Sequence, residues 1–89
     1  MKSRRTASFR KAFAALPEPV RDQARAAYRH FRENPNHSSL RFKRVHASDP
    51  VYSVRVGMGY RAVGTLDDDV MIWFWIGSHA EYDTLLSRR

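Results

Sequence analysis

Eighty-nine residues, 43% apolar and 12% aromatic, support one small domain with a modest core. The chain has no cysteine, which excludes disulfide staples and thiolate metal sites and suits the reducing cytoplasm. Sixteen Lys and Arg against nine Asp and Glu give a net charge of +7, Arg predominating, so a polyanion such as nucleic acid is the expected partner.

The basic N-terminus, MKSRRTASFRK, is not followed by an apolar run of signal-peptide type. No stretch approaches the roughly 20 apolar residues of a membrane span, so no membrane partner is expected. Residues 1–6 are expected to be a flexible basic tail on a single domain spanning 1–89. From Ser8, a helical stripe carries Phe9, Ala12, Phe13 and Leu16. Pro17 and Pro19 suit the first turn of a second helix. It ends before Pro35, because the residue ahead of a proline disfavours helical backbone. Val20, Ala24, Ala27, Tyr28 and Phe31 form its buried face. Arg21, Arg25 and Arg29, with Arg32 beside them, line another face at a spacing that makes like charges repel. This row is either a solvated surface or a rail for a phosphate backbone.

After the loop NPNHSS the pattern changes to strands. Leu40–Val45 is expected to be the first, with Arg41 and Lys43 on one face and Arg44 adding charge. Val51–Val56 and Tyr60–Thr65 follow as the second and third. Asp67, Asp68 and Asp69 make a solvated turn, and Val70–Ile76 is the fourth strand. That strand is apolar on both faces, as a central or covered strand would be. SHAEYDTLLS closes the chain as a short helix.

Gly57-Met58-Gly59 reads as a three-residue hairpin loop, which pairs Val56 with Tyr60 and Arg55 with Arg61. A two-residue loop would instead put the arginines on opposite faces. Two like charges placed directly across a strand pair destabilise it. Either both reach open solvent, or an anion such as phosphate is clamped between two guanidinium groups.

Ser78-His79-Ala80-Glu81 fits a capping box, so His79 is the first helical residue. The positive helix end favours an anion there and a neutral imidazole usable as a base. Asp83 and Tyr82 lie close to His79 on the helix surface. Asp83 either orients the ring or opposes the effect of the helix end. Tyr82 either stacks and donates a proton or packs the helix on the sheet. No histidine–glutamate metal motif, phosphate-binding loop or nucleophile motif is present. Neither a metal nor a cofactor is expected.

The segments YSVRVGMGYRAV and IGSHAEYD, together with Leu16-Pro17 and LRFKR, resemble the RelE/ParE superfamily of bacterial toxin–antitoxin toxins. The resemblance implies an α+β fold: two N-terminal helices packed on a twisted, mainly antiparallel four-stranded sheet with a short C-terminal helix. It implies a ribosome-dependent endonuclease that cuts mRNA without metal, using a base, an acid and cations for the developing phosphate charge. Arg61 would stabilise the transition state and Arg55 would support it. His79 would act as base or acid, and Tyr82 would correspond to a C-terminal tyrosine. Lys43, Arg41, Arg44, Arg21, Arg25 and Arg29 would hold ribosomal RNA. The partners would be a cognate antitoxin, forming a hetero-oligomer, and the ribosome with its mRNA. The same superfamily includes gyrase poisons, and an inactive antitoxin-binding module is a third reading. Two features depart from the pattern. Ser53 stands where some nucleases have a second lysine, and no strand is evident before the first helix.

Overall fold

A computed structural model describes residues 1–87. The elements run β1 (Lys2–Arg5), α1 (Ala7–Ala14), α2 (Glu18–Glu33), a 3₁₀ turn (Ser38–Leu40), β2 (Lys43–Arg44), β3 (Val51–Val56), β4 (Tyr60–Asp67), β5 (Val70–Ser78) and α3 (His79–Ser87). The strands form one sheet in the order β1-β5-β4-β3-β2. Neighbours from β2 to β5 are antiparallel, while β1 is parallel to β5. The sheet is therefore five-stranded and mixed, not four-stranded.

The extra strand comes from the expected flexible tail. Lys2 to Arg5 pair in register with Val70 to Trp73. The Lys2 N–H donates to the Asp69 carbonyl at 3.2 Å, and the Thr6 N–H to the Trp73 carbonyl at 3.0 Å. Backbone hydrogen bonds need no apolar side chains, so an edge strand can consist of Lys, Ser and Arg. Charge on such an edge also discourages pairing with a second molecule. This element supplies the strand that the sequence did not display ahead of the first helix.

Thr6 caps α1, its hydroxyl accepting the Phe9 N–H at 3.1 Å. Pro17 precedes α2 and Pro19 lies in its first turn, where a missing N–H costs no helical bond. The helix stops at Asn34, one residue before Pro35. α1 packs mainly on β5 and α2 on β3. Phe9 and Phe31 then bury against Val54, Val56, Ala62, Met71, Trp73 and Ile76. Tyr28 shares the apolar face of α2 but stays 43% exposed.

α3 covers the opposite face. There Tyr82, Leu85 and Leu86 pack with Val51, Val63 and Trp75. β5 is thus apolar on both sides because a helical layer lies over each. At Val63/Gly64 the register slips, so Trp75 and Trp73 face consecutive residues of β4 and Phe74 is extra. Gly64 permits the close approach, since a Cβ there would stand 2.9 Å from both the Ile72 carbonyl oxygen and the Trp73 ring.

The expected strand over Leu40–Val45 shrinks to Lys43–Arg44. Leu40 ends the 3₁₀ turn, and Arg41 takes a left-handed conformation with φ of 46° that redirects the chain. Phe42 still packs, its ring stacked on Tyr52 at 4.9 Å. Among the described residues no helix is long and apolar enough to cross a membrane.

Candidate functional site

The β3–β4 hairpin turns through Gly57, Met58 and Gly59. Val56 pairs with Tyr60 and Arg55 with Arg61. Gly57 has φ of 59°, which a side chain would strain, and a Cβ there would also collide with the Gln23 amide. The Arg55 Nε–H donates to the Gly57 carbonyl at 3.0 Å, and its Nη2 approaches the Met58 sulfur at 2.9 Å.

Arg61 is held differently. Its guanidinium carbon lies 5.4 Å from the centre of the Tyr82 ring. Its Nη1 is buried and has no hydrogen-bond partner. A buried donor left without an acceptor costs about 1–3 kcal/mol. The like-charged pair and the orphaned donor together make an anion the natural complement of this spot.

His79 starts α3 beside the hairpin, its backbone N–H donating to the Gly59 carbonyl at 2.8 Å. The capping box is formed: Ser78 N–H donates to Glu81 Oε1 at 2.8 Å, and Glu81 N–H to Ser78 Oγ at 3.2 Å. Three donors at this helix end are therefore already engaged, and a carboxylate sits beside them. The helix end therefore has fewer free donors to offer the anion expected there from the sequence. His79 Nε2 stands 3.8 Å from Asp83 Oδ2, both side chains more than half exposed. The His79 ring also stacks on Tyr82, with centroids 5.9 Å apart.

The Ser78 backbone N–H, followed by its hydroxyl, holds the Glu81 carboxyl below its usual value of 4.5. A lowered folded value means that the carboxylate stabilises the fold above the normal carboxyl range. That contribution is lost as pH falls through the folded value. Glu81→Gln should therefore flatten the acid side of the stability profile, at and below the usual carboxyl range. Urea melts at stepped pH check this, and a wild-type slope unchanged in the variant would contradict it.

Arg41, Arg55, Met58, Tyr60, Arg61 and His79 line one cleft of about 260 Å³. Lys43 pairs with Ser53 on β3 and so shares the face of Arg55, although it does not line the cleft. Arg44 is committed elsewhere. It donates to the carbonyls of His46, Ser48 and Asp49 at 3.1–3.3 Å and closes the loop before β3. Arg21 donates to the Leu16 carbonyl. Arg25 pairs with Asp22 at 2.8 Å and lies over Phe13. α2 packs on the other face of the sheet, so Arg21, Arg25 and Arg29 are not brought to the cleft. Arg25 and Arg29 instead help line a larger apolar cavity of about 460 Å³ between the helices and the sheet. Tyr82 is only 3% exposed, and its hydroxyl donates to the buried Ser53 Oγ at 3.1 Å.

Sequence reasoning missed Met58 and Tyr60. Met58 is 86% exposed at the hairpin tip, and a large apolar residue between two glycines was the available signal. Tyr60 follows from its place at the hairpin base, one residue before Arg61.

The sequence pattern of the ParE-like toxin domain matches residues 18–84. No curated protein matches the chain significantly. Solved structures share its fold at low identity. YafQ from E. coli strain BL21(DE3) superposes with a TM-score of 0.72 at 12% identity, covering 91% of this chain and 96% of that one. The YoeB/ParE toxin from Agrobacterium tumefaciens gives 0.71 at 13%, covering 89% and 99%. The RelB–RelE antitoxin–toxin complex from Methanococcus jannaschii gives 0.70 at 20%, covering 90% and 95%.

Proposed function

The chain belongs to the ParE-like toxin domain family, and from that premise we propose that this toxin cleaves messenger RNA on the ribosome. The observation that carries the reading is the cleft where Arg41, Arg55, Arg61 and His79 converge. Cations beside a proton-transfer group are what phosphodiester transfer needs. The 2′-hydroxyl attacks the adjacent phosphorus, its proton leaving to a base. The new P–O2′ bond forms as P–O5′ breaks, and the departing 5′-oxygen takes up a proton. The products are a 2′,3′-cyclic phosphate and a 5′-hydroxyl. Arg61 and Arg55 balance the charge that builds on the phosphoryl oxygens. His79 serves one of the two proton transfers, with Asp83 near enough to bias the ring. The arginines supply the charge that a metal ion would otherwise bring, so the step calls for no cofactor.

The partner is a cognate antitoxin, as in the structurally similar RelB–RelE complexes. It would act by covering the basic face or displacing α3. Arg41 and Lys43 border the cleft side and suit ribosomal RNA. Arg21, Arg25 and Arg29 would contact RNA only through a separate surface.

The test is primer extension on ribosome-bound and free message, with wild type beside His79→Ala. General acid–base catalysis contributes roughly 100- to 10,000-fold, so the variant should lose at least about 100-fold in cutting of bound message. Toxicity retained in His79→Ala without any cutting would favour a gyrase poison. The absence of both cutting and toxicity in the wild type would leave an antitoxin-binding module.

A further inference from the structure

We infer that Tyr82 is a positioning residue: its ring, and not its hydroxyl, sets the guanidinium of Arg61 for an incoming phosphate. The hydroxyl is spent. It lies in the core and donates to Ser53 Oγ at 3.1 Å, with Ser53 fully buried beneath it. Tyr82 is not among the residues that line the cleft. It is therefore badly placed to exchange a proton with a substrate.

The ring faces the other way. Arg61 lies over it at 5.4 Å, and His79 stacks on it at 5.9 Å with 26° between the planes. Trp75 backs it at 6.4 Å. One aromatic ring thus touches both the cation and the proton-transfer group of the cleft. Among the described residues no carboxylate or carbonyl takes a hydrogen bond from the Arg61 guanidinium, and its Nη1 is orphaned.

This arrangement has a physical logic. An arginine can be oriented by a carboxylate, but the carboxylate then neutralises it and occupies its fork of donors. A ring face orients the cation through its quadrupole and leaves its charge unneutralised and its N–H groups uncommitted to a carboxylate. Trp75 and the core around it hold the ring, and the ring sets Arg61.

The inference rests on the reading of the cleft as a phosphodiester site, so the experiment has one arm that needs no catalysis. Tyr82→Phe keeps the ring and removes the hydroxyl. Tyr82→Leu removes the ring. The first readout is the Arg61 Nε–H resonance in ¹⁵N-resolved spectra, assigned by its loss in Arg61→Lys. A ring-current displacement is expected in the wild type and Tyr82→Phe, and its disappearance in Tyr82→Leu. The second readout is cleavage of programmed ribosomes. Tyr82→Phe should stay near wild type. Tyr82→Leu should lose about 100-fold in kcat with KM little changed, as a misplaced group does. If Tyr82→Leu fails to fold, the wild-type and Tyr82→Phe spectra still decide. An undisplaced Arg61 resonance in the wild type overturns the inference. So does loss of cleavage in Tyr82→Phe with the resonance still displaced, because the hydroxyl would then take part in the chemistry. If the wild type cuts no message while the resonance behaves as expected, the positioning stands and the nuclease reading falls.

Discussion

Arg61→Ala is expected to lower cleavage of ribosome-bound message by about 100- to 1,000-fold, the usual loss when one preorganised donor to a developing oxyanion is removed. The reasons lie in its surroundings. Arg61 faces Arg55 directly across the β3–β4 pair, has a buried Nη1 without an acceptor, and rests on a ring that leaves its charge unspent. The first two features cost the free protein something that a bound anion would offset, while the ring contact holds the guanidinium in place. Stability should accordingly change little, because the substitution removes a like-charge pair and an unsatisfied donor along with the contact to Tyr82. Arg61→Lys should recover only part of the activity, since an ammonium lacks the planar fork that grips two phosphate oxygens. Paired measurements of cleavage rate and urea midpoint check both halves. Full activity in Arg61→Ala would remove Arg61 from the chemistry.

Phe31→Ala is expected to cost about 3–5 kcal/mol, the range for truncating a buried phenylalanine. Phe31 is 1% exposed and meets Phe42 and Trp73 edge-on, with centroids 5.3 and 5.2 Å away. It is the point where α2, the segment before β2 and the sheet come together. A domain's whole stability is about 5–15 kcal/mol, so the variant should lose a large share of it and its urea midpoint should fall sharply. The loss should appear in urea melts, and activity should fall in step with the folded fraction. This separates it from Arg61→Ala, which should lose activity while folded. A loss below about 1 kcal/mol would mean that the helices are not held to the sheet as described.

Most of the site's local geometry could be read from spacing. The glycines around Met58 set the loop length, and loop length alone places Arg55 opposite Arg61. Ser78 and Glu81 at capping-box spacing place His79 at the helix start. Proline positions bound α2 on both sides. What escaped were features that depend on remote partners. β1 has no apolar alternation because it is an edge strand held through its backbone to residues near the far end of the chain. LRFKR alternates like a strand, yet Arg41 adopts a left-handed turn and only two residues pair. Tyr28 lies on an apolar helical stripe, but α1 and α2 sit over different strands and leave it open to solvent. Helical spacing correctly brought Tyr82 beside His79. It could not show that the hydroxyl points into the core, because Ser53 is on a strand 29 positions away. The arginines of α2 share a charge sign with the cleft but occupy the other face of the sheet, a matter of topology that composition does not carry.

The central claim is that this cleft promotes attack by a 2′-hydroxyl on its neighbouring phosphate. The most direct measurement maps the wild-type cut site in a ribosome-bound message, then replaces the nucleotide 5′ to the cut by its 2′-deoxy counterpart. The account predicts that cutting at that position disappears while sites elsewhere in the same message are cut as before. Cleavage of the 2′-deoxy message at the same position would contradict it, because the nucleophile would then have to come from somewhere other than the RNA itself.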